Sequence, residues 1–417
     1  METDVCIVGA GPAGLTAAIF AAQKGAQTTV IEGNTTAGRK LLRTGGGRCN
    51  LTHCDNVNDL IAAYGPGGRF LRYCLHEFPP RGVMQFFSER GLETEVEKDG
   101  CVFPVSGRAA DVRDILLAEA KRLGVQFLYD RTAERVSKSS QPFFEVRTLR
   151  QTVNAAKVII ATGGVSWPDT GSTGAGYHFA RELGHTIIEP RGALVPLLKG
   201  ERWVADLAGT ALENVKISTT LGKKKTTVRG PMLFTQDGIG GPAPLDLSRL
   251  IADLLPESAI QISVDMVVGC GEQVLDEKIV RLCAENPRKT MTNILSRFVP
   301  RRLAAALCGR LDIGETQPSQ LSKQKRRKLV GVLKALPLTI TGARPINEAM
   351  VTHGGVSTRQ IEAKTMQSTI CAGLFFAGEV IDVDGPCGGY NLQICWSTGA
   401  LAGRSAATAR PARSHVL

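Results

Sequence analysis

A glycine turn near the amino end constrains the fold most strongly. The apolar run Asp4–Val8 leads into Gly9-Ala10-Gly11-Pro12-Ala13-Gly14, and a helix-forming stretch over 15–22 follows. In such a strand–turn–helix unit the first glycine permits the tight turn, the second lets the backbone approach a pyrophosphate, and the third allows close packing. Pro12 suits a first helical turn, and the free N–H groups of the helix end attract phosphate. The pattern predicts a Rossmann-type nucleotide-binding domain.

A carboxylate follows at the spacing that a dinucleotide requires. The second predicted strand, Thr28–Ile31, ends at Glu32, where a ribose hydroxyl would be hydrogen-bonded. These residues alone do not decide between FAD and NAD. Two further buried runs, 158–164 and 373–379, each contain a glycine turn, and Asp382 lies just beyond the second. Because ligands of open α/β sheets lie at the carboxyl ends of the strands, we expect all three turns on one edge.

Two more segments favour a flavin. Gly388-Gly389-Tyr390-Asn391-Leu392-Gln393 precedes a predicted helix over 394–402. A helix amino end aimed at the flavin pyrimidine edge would stabilise the negative charge that develops there on reduction, which NAD does not need. Earlier in the chain, three glycines at 45–47 are flanked by Arg39, Lys40 and Arg48, a donor-rich cradle for phosphate and flavin. The alternative for 388–393 is a loop before a core helix, and the alternative for 39–48 is an exposed basic loop.

The cradle belongs to a longer motif that resembles a known family. Gly38-Arg39-Lys40-Leu41-Leu42-Arg43-Thr44-Gly45-Gly46-Gly47-Arg48-Cys49-Asn50-Leu51-Thr52 matches the pattern G-[RK]-K-[IL]-L-x-[ST]-G-G-G-R-C-N of the YhiN/BaiN family of FAD-binding flavoproteins. That family is also described as aminoacetone-oxidase-like, or as predicted NAD(FAD)-utilising dehydrogenases. The segment 377–385 with 388–393 resembles the second signature, and 168–174 and 352–356 extend the resemblance over essentially the whole chain.

The resemblance implies an α/β fold with a glutathione-reductase-like FAD-binding domain and two insertions. The FAD domain would be discontinuous, formed by 1–190 and 347–417. A β-rich, barrel-like insert would comprise 191–268 with about 337–346, and a small helical insert 269–336.

The residues support this organisation. Strand-like stretches occur at 193–197, 215–221, 226–228 and 260–264, and a hairpin turning at 222–225 joins the middle two. Leu303, Leu307 and Leu311 recur at helical spacing within the predicted helical insert.

The cofactor is predicted to be non-covalent FAD, with NAD(P)H as a possible transient electron donor. The resemblance implies that 45–50 run alongside the FAD and that Cys49 belongs to the motif. The predicted FAD-binding residues are Gly9, Gly11, Pro12, Ala13, Gly14, Glu32, Gly33, Arg39, Lys40, Leu41, Thr44, Gly45, Gly46, Gly47, Arg48, Cys49, Asn50, Val136, Ala161, Thr162, Gly163, Gly378, Glu379, Asp382, Gly389, Tyr390, Asn391 and Leu392.

No catalytic residue is identified, but Tyr390, Trp167 and Cys387 are candidates beside the predicted flavin. Cys387 could be an accessible thiol or a small spacer in its glycine-rich loop. Tyr177 and His178 are further candidates for the cavity wall; Trp167 and Tyr177 could equally be packing residues, and His178 a structural or exposed one.

The sequence contains a single dinucleotide-binding turn, and this limits the redox partners of the flavin. Gly238-Ile239-Gly240-Gly241-Pro242 does not follow a buried strand in a β-α-β unit, so no dedicated NAD(P)H domain is predicted. Either NAD(P)H docks transiently at the flavin, or a substrate reduces the flavin and oxygen reoxidises it.

We predict an FAD-dependent oxidoreductase that moves a hydride to or from flavin N5. The resemblance allows amine oxidation or reduction of an activated carbon–carbon double bond.

The charge distribution supports a second hypothesis. The net charge is +11, and the segment 286–346 holds thirteen lysines and arginines against Asp312 and Glu315. The net charge of this segment, +11, therefore equals the net charge of the whole chain. An FAD-dependent RNA-modifying enzyme would use such a surface, in particular Lys323, Lys325, Arg326, Arg327 and Lys328. The alternative is a solvated helix surface. A flavin-dependent sensor or partner-binding protein without turnover is a third hypothesis.

Composition excludes several other classes. No apolar run is long enough to span a bilayer, and the acidic start does not resemble a secretory signal. The cysteine number, 11, is odd and no Cys-x-x-Cys pair occurs, so we expect reduced thiols, and the six histidines show no ligand-like spacing with them. These features predict a cytoplasmic protein with a small-molecule substrate, no metal site and no membrane association.

Overall fold

A computed structural model describes residues 1–139, 143–255 and 257–408, which fall into two compact units. The first is formed by Met1–Arg191 and the chain from Ile346 onward, and the second is Gly192–Pro345. The division of the inserted unit into a β-rich and a helical subdomain stays a prediction.

The strands, numbered in chain order, are β1 (Glu2–Val8), β2 (Thr28–Ile31), β3 (Thr52–His53), β4 (Thr94–Val96), β5 (Cys101–Pro104), β6 (Gln126–Leu128), β7 (Ala133–Lys138), β8 (Phe144–Thr148), β9 (Thr152–Ile160), β10 (Ile187–Ala193), β11 (Leu197–Lys199), β12 (Ala211–Leu221), β13 (Lys224–Phe234), β14 (Gly238–Gly240), β15 (Ile260–Asp265), β16 (Leu336–Ala343), β17 (Val351–Val356) and β18 (Leu374–Phe376). The helices are α1 (Pro12–Gln23), α2 (Val57–Ala63), α3 (Gly68–Glu77), α4 (Pro80–Ser88), α5 (Ala109–Arg122), α6 (Ala175–Glu182), α7 (Pro242–Ile251), α8 (Glu272–Glu285), α9 (Met291–Leu295), α10 (Arg301–Arg310), α11 (Lys323–Lys334) and α12 (Tyr390–Thr408).

The first unit is built on a sheet with strand order β6-β2-β1-β9-β8-β7, and β18 also pairs with β9. The strands β6, β2, β1, β9 and β18 pair in parallel, while β7, β8 and β9 are antiparallel neighbours. β1, β9 and β18 therefore end at the same edge of the sheet, as the three glycine turns predicted. Because these central strands are covered on both faces, their sequences are almost continuously apolar.

Helix α12 packs against α1 through glycines. A Cβ added at Gly399 would lie 2.5 Å from the carbonyl oxygen of Ala13, and one at Gly403 would collide with the backbone of Ala17. The absence of these side chains lets the two helix backbones approach closely. This packing holds the amino end of α12 near the glycine turn that precedes α1.

Replacing Gly403 with alanine is expected to lower stability, although alanine favours a helix by about 0.8–1.0 kcal/mol. Overpacking a close contact costs about 1–3 kcal/mol, so the expected net loss is about 0–2 kcal/mol, against a net gain at a position with open space. Gly331 of α11, which has no atom within 4 Å of an added Cβ, provides the matched control. Thermal unfolding of both alanine variants would show the difference; equal stabilisation by the two would contradict close packing of α1 and α12.

The second unit contains a closed antiparallel barrel in the order β11-β14-β13-β12-β15-β16. Val215 and Ile217 of β12 point into its core, while the intervening Lys216 is partly exposed, as the strand period of two requires. The tight turn at 222–223 forms the predicted hairpin. Leucines of α8, α10 and α11 belong to the same buried cluster as the barrel. The predicted fold class, an α/β Rossmann-type sheet domain with a barrel-like insert and helices, is confirmed.

One predicted strand is wrong. The run 193–197 is divided between the end of β10 and the start of β11, because Leu194 adopts a left-handed conformation with φ of 53°. A positive φ is incompatible with an extended strand, and local hydrophobicity does not reveal it.

All eleven cysteines are free thiols. Over the described ranges, no helix combines the length and the apolar character needed to cross a membrane.

Candidate cofactor-binding site

The glycine turn after β1 has the geometry of a phosphate site. Gly9 has a φ of 103°, and its Cβ position lies 2.6 Å from the carbonyl oxygen of Ala161, so a side chain is excluded there. A Cβ at Gly14 would collide with the carbonyl oxygen of Gly9. At Gly11, in contrast, an added Cβ would meet nothing within 4 Å. Helix α1 begins at Pro12 without a side-chain cap, so its first N–H groups are available to an anion.

Glu32 lies at the tip of β2 and is fixed from two sides. Its Oε2 accepts a hydrogen bond from the backbone N–H of Ala10 at 2.8 Å. Its Oε1 accepts from the backbone and the side-chain amide of Asn34, at 2.9 and 2.6 Å. The side chain of Asn34 in turn accepts a hydrogen bond from Arg39 at 2.5 Å. The carboxylate is thus oriented beside the glycine turn.

An extended cavity of about 320 Å³ runs along the carboxyl edge of the sheet. Many predicted FAD-binding residues line it: Gly9, Gly11, Pro12, Ala13, Glu32, Gly33, Arg39, Lys40, Leu41, Thr44, Ala161, Thr162, Gly163, Glu379, Asn391 and Leu392. Residues separated by almost the whole chain therefore meet at one cavity.

A partly buried ion pair forms part of this wall. Nζ of Lys40 donates to Oε2 of Glu379 and to Oγ of Ser166, both at 2.6 Å. Oε1 of Glu379 accepts from the hydroxyl of Ser166 at 2.8 Å and from the backbone N–H of Thr352 at 2.9 Å. Burial raises the pKa of Glu379, but the charge and hydrogen bonds around it outweigh burial, so its pKa is below the usual value. Glu379 is a fixed anion, and Lys40 compensates it.

The amino end of α12 is held in place by the segment 49–55. With its amide oriented to satisfy both neighbours, Asn50 donates to the carbonyl of Thr52 at 3.1 Å and accepts from the N–H of Gly389 at 3.2 Å. The indole of Trp396 donates to the carbonyl of Leu51 at 2.8 Å. The two signature motifs therefore form one structure next to the cavity.

Other predicted FAD-binding residues lie outside the cavity wall: Gly14, Gly45, Gly46, Gly47, Arg48, Cys49, Asn50, Val136, Gly378, Asp382, Gly389 and Tyr390. Arg48 is turned away, because it pairs with Glu97 at 2.6 Å and lies over the ring of Phe103. Burial raises the pKa of Cys49 to about 12, so it is held as a thiol. Val136 is buried in β7 opposite Val146.

The three glycines at 45–47 all have positive φ, between 57° and 92°. This left-handed run turns the chain from Thr44, on the wall, to the segment that supports α12. Their role in the structure is to shape the backbone behind the cavity wall, a role that requires glycine.

The catalytic candidates are placed around the cavity without lining it. Tyr390 is buried; its hydroxyl donates to Asp55 at 2.7 Å and its ring stacks on His53. Trp167 adopts a left-handed conformation with Arg43 over its ring, and Cys387 is partly buried.

Tyr177 and His178, both on α6, also lie outside the cavity wall. Tyr177 is buried, and burial together with the nearby acids Glu379 and Asp382 raises its pKa. His178 is exposed.

Several wall residues are absent from the sequence prediction: Asn34, Arg131, Thr132, Ala133, Thr170, Gly171, Ser172, Thr173, Met350 and Val351. Arg131–Ala133 reach the cavity because β6 pairs with β2, a long-range pairing that no local motif encodes. The Nε of Arg131 is buried without a hydrogen-bond partner, a donor that a polar ligand at the Glu32 end would satisfy. This orphaned donor, the open space at Gly11 and the uncapped helix fit an FAD.

Among the residues that the structure describes, no three His, Cys, Asp or Glu side chains form a metal-binding group.

Known proteins are similar to this chain in sequence. The sequence profile described as HI0933-like protein Rossmann domain matches residues 3–405. A 3-dehydro-bile acid delta(4,6)-reductase of Clostridium scindens is 34% identical over 406 residues, covering 96% of this chain and 98% of that protein. A ribosomal RNA dihydrouridine synthase of Haemophilus influenzae is 30% identical over 397 residues, covering 94% of this chain and 95% of that protein.

A solved structure shows a similar fold. The 3-ketosteroid delta1-dehydrogenase of Sterolibacterium denitrificans matches with a TM-score of 0.54 at 12% identity, over 98% of this chain and 100% of that one. At this identity the likeness concerns the fold alone.

Proposed function

This chain belongs to the HI0933-like protein Rossmann domain family of FAD-dependent oxidoreductases, and we propose that it reduces a carbon–carbon double bond conjugated to a carbonyl group. One observation carries the proposal: two relatives at 30% identity or more are named for different substrates but for the same chemical change. A 3-dehydro steroid with a delta-4 double bond is an enone. The double bond that is saturated in dihydrouridine is likewise conjugated to a ring carbonyl.

The described residues suit this role. When bound, FAD supplies the hydride at its N5 atom. The N–H groups at the start of α1 would bind the pyrophosphate, and Glu32 with Arg131 would bind the adenosine end. Lys40 and Glu379 would hold the middle of the cofactor, and the amino end of α12 would stabilise negative charge on the pyrimidine ring.

We propose NAD(P)H as the electron donor that docks transiently at the flavin. Residues 238–240 form β14 of the barrel, and this strand supports the interpretation that the segment is not a second dinucleotide turn. Amine oxidation followed by reoxidation with oxygen is the competing chemistry within the same oxidoreductase class.

Anaerobic reduction of the FAD-loaded protein separates the two chemistries. We expect NADPH or NADH to bleach the flavin absorbance, and an enone such as a 3-oxo-delta-4 steroid, or a uridine-containing RNA, to restore it. Aminoacetone serves as the comparison reductant. Bleaching by the amine alone would overturn the reductase proposal, and a protein that binds no FAD would overturn its premise.

RNA is the second candidate substrate, favoured by the basic surface of α11. Lys323, Arg327 and Lys328 are exposed on one side of this helix at spacings of four and five residues. Lys325 and Arg326 are engaged with Asp312 and Asp276, at 3.3 and 2.7 Å. The unpaired surface available to a phosphate backbone is therefore narrower than the run of five cations suggests.

Replacing Lys323, Arg327 and Lys328 together with glutamine is expected to weaken binding of a ribosomal RNA transcript. Removing three phosphate contacts should lower the slope of log affinity against log salt by about 2. The matched control replaces the exposed cations Lys24, Arg150 and Lys364 of the first unit and should leave the slope unchanged. Filter binding over a salt series measures both. If the wild-type protein fails to bind at low salt, the RNA candidate is removed.

A further inference from the structure

The outer face of the barrel carries a groove of about 770 Å³, formed by β12, β15, the start of β13, the start of β16 and the end of α11. Lys216, Ser218 and Thr220 of β12 point into it, because they alternate along the strand with buried residues of the barrel. Ser263 of β15 lies opposite Ser218, and Lys225 of β13 lies opposite Thr220. The groove is therefore lined by a ladder of hydroxyl groups with a lysine at each end.

The groove carries a net positive charge. Of the described residues that line it, three are lysines and one, Asp265, is an acid. Nζ of Lys334 donates to Oδ2 of Asp265 at 2.7 Å and to two backbone carbonyls at 2.8 and 2.7 Å, so these two charges compensate each other. Lys216 is partly exposed and lies further from the same carboxylate, at 3.9 Å. Lys225 is exposed and, within the described ranges, forms no ion pair. Two cations are thus left for an anionic ligand.

The two available lysines are widely separated. Thr220, the cross-strand neighbour of Lys225, lies four residues beyond Lys216 on β12, a distance of about 13 Å along the strand. A ligand that neutralises both lysines therefore has to carry negative charge at more than one point.

Helix α11 extends this row of cations. Lys323 and Arg327 are exposed and lie on the same side of the helix as Lys334, because separations of eleven and seven residues are close to whole numbers of turns. The rise along the helix places them about 16 Å and about 10 Å from Lys334. The cations thus continue from the groove along one side of α11. A nucleic-acid strand, with a phosphate at every nucleotide, matches an extended row of this kind.

The lining also indicates which part of such a strand is bound. No aromatic side chain is among the described residues of the groove, so it lacks the platform on which single-stranded bases are usually stacked. The hydroxyl groups of Ser218 and Ser263 are short polar groups of the kind that contact phosphate and sugar oxygens. We therefore expect recognition of the backbone, independent of base sequence.

We propose that this groove binds the phosphate backbone of an RNA strand, an inference that deepens the RNA candidate described above and rests on it. Lys216 and Lys225 contact phosphates at the two ends of the groove, and the hydroxyl groups between them donate to phosphate oxygens. The exposed cations of α11 contact the strand where it leaves the groove past Lys334. The groove holds the RNA without selecting its sequence.

The central test combines Lys216→Gln with Lys225→Gln in the FAD-loaded full chain. Removing two contacts to a single strand should lower the slope of log affinity against log salt by about 1.4, which weakens binding by about 25-fold at about 0.1 M salt. The factor should be the same for oligoadenylate and oligouridylate, because neither base is read. Lys24→Gln with Lys364→Gln is the matched control: it removes the same charge from the exposed surface of the first unit and should leave the slope unchanged. Filter binding over a salt series measures all four combinations.

A second readout uses the wild-type protein and needs no turnover. Lysines are acetylated with an N-hydroxysuccinimide ester in the presence and absence of oligouridylate and located by mass spectrometry. The RNA should protect Lys216 and Lys225 and leave Lys24 and Lys364 unprotected. Thermal unfolding of the groove variant should match that of wild type, because both replaced side chains lie at the surface.

The outcomes are distinct. A wild-type protein that binds no RNA at low salt overturns the RNA candidate and this site with it. RNA binding whose salt slope survives the two groove substitutions overturns the site alone. Protection of both lysines by millimolar inorganic phosphate, as complete as that by RNA, indicates a small-anion site and also overturns the proposal. Failure of the protein to reduce a conjugated carbonyl compound does not affect these measurements, because binding is read without turnover.

Discussion

Gly11→Val is expected to give a folded protein that does not retain FAD. Gly11 has φ and ψ of −75° and −177°, an extended conformation that valine adopts readily, and an added Cβ meets no protein atom within 4 Å. The side chain would instead occupy the space in front of the first turn of α1. Blocking the pyrophosphate there should cost about 3 kcal/mol of binding energy or more, which raises the FAD dissociation constant by about 10²-fold.

Gly14→Val is the matched contrast. Its Cβ would collide with the carbonyl oxygen of Gly9 inside the protein, so it should destabilise the FAD-free protein as well. Thermal unfolding without FAD and titration with FAD measure the two effects separately. A Gly11→Val protein that purifies yellow, with one FAD per chain, would show that the pyrophosphate does not bind at this turn.

Lys40→Met is expected to have the largest effect on stability. Removing the cation leaves Glu379, whose side chain is 16% exposed, as an uncompensated carboxylate. Breaking one side of a fully buried pair costs about 3–5 kcal/mol, which is the upper bound for this partly buried one. The double variant Lys40→Met with Glu379→Gln removes both charges and should recover most of this loss. A double-mutant cycle in denaturant measures the coupling. If the double variant is as unstable as Lys40→Met, the loss comes from packing and not from the unpaired charge.

The pH dependence of the Lys40 variant follows from the same pair. In wild type the pKa of Glu379 is below its unfolded value of about 4.5, so its contribution to stability is present above pH 4.5 and is lost as the pH falls through the folded pKa. Without Lys40, burial dominates and raises this pKa above the unfolded value. The penalty of Lys40→Met should therefore be largest at neutral pH and should shrink as the solution becomes acidic.

The parts of the site that depend on short spacing could be predicted from the sequence. The turn 9–14 and Glu32 belong to one β-α-β unit, in which backbone conformation and strand length place them together. The same holds for Glu379, which lies three residues beyond the end of the buried strand β18. For Gly9, Gly11, Glu32 and Glu379, the position relative to the end of the strand was sufficient to place the residue on the cavity wall, whereas Gly14 lies outside it.

Residues whose position depends on long-range pairing could not be predicted in this way. The prediction names Val136, but the cavity wall uses Ala133, at the start of the same strand. The alternation of apolar and polar residues along a strand shows which face of the sheet each side chain lies on. It does not show at which residue the strand leaves the sheet. Arg48 similarly lies within the basic motif, but a partner on another segment, Glu97, determines where its guanidinium points.

The pairing of β18 with β9 has a consequence for biosynthesis. The strands are adjacent in the sheet, but the chain between them includes the whole second unit. At about 5–20 residues per second, a ribosome needs about 10–40 s to proceed from one strand to the other. Throughout that interval the nascent chain lacks Glu379 and α12, and the face of α1 that α12 covers stays exposed. The cofactor can therefore enter its complete site only once α12 has been synthesised, after the barrel has had time to fold.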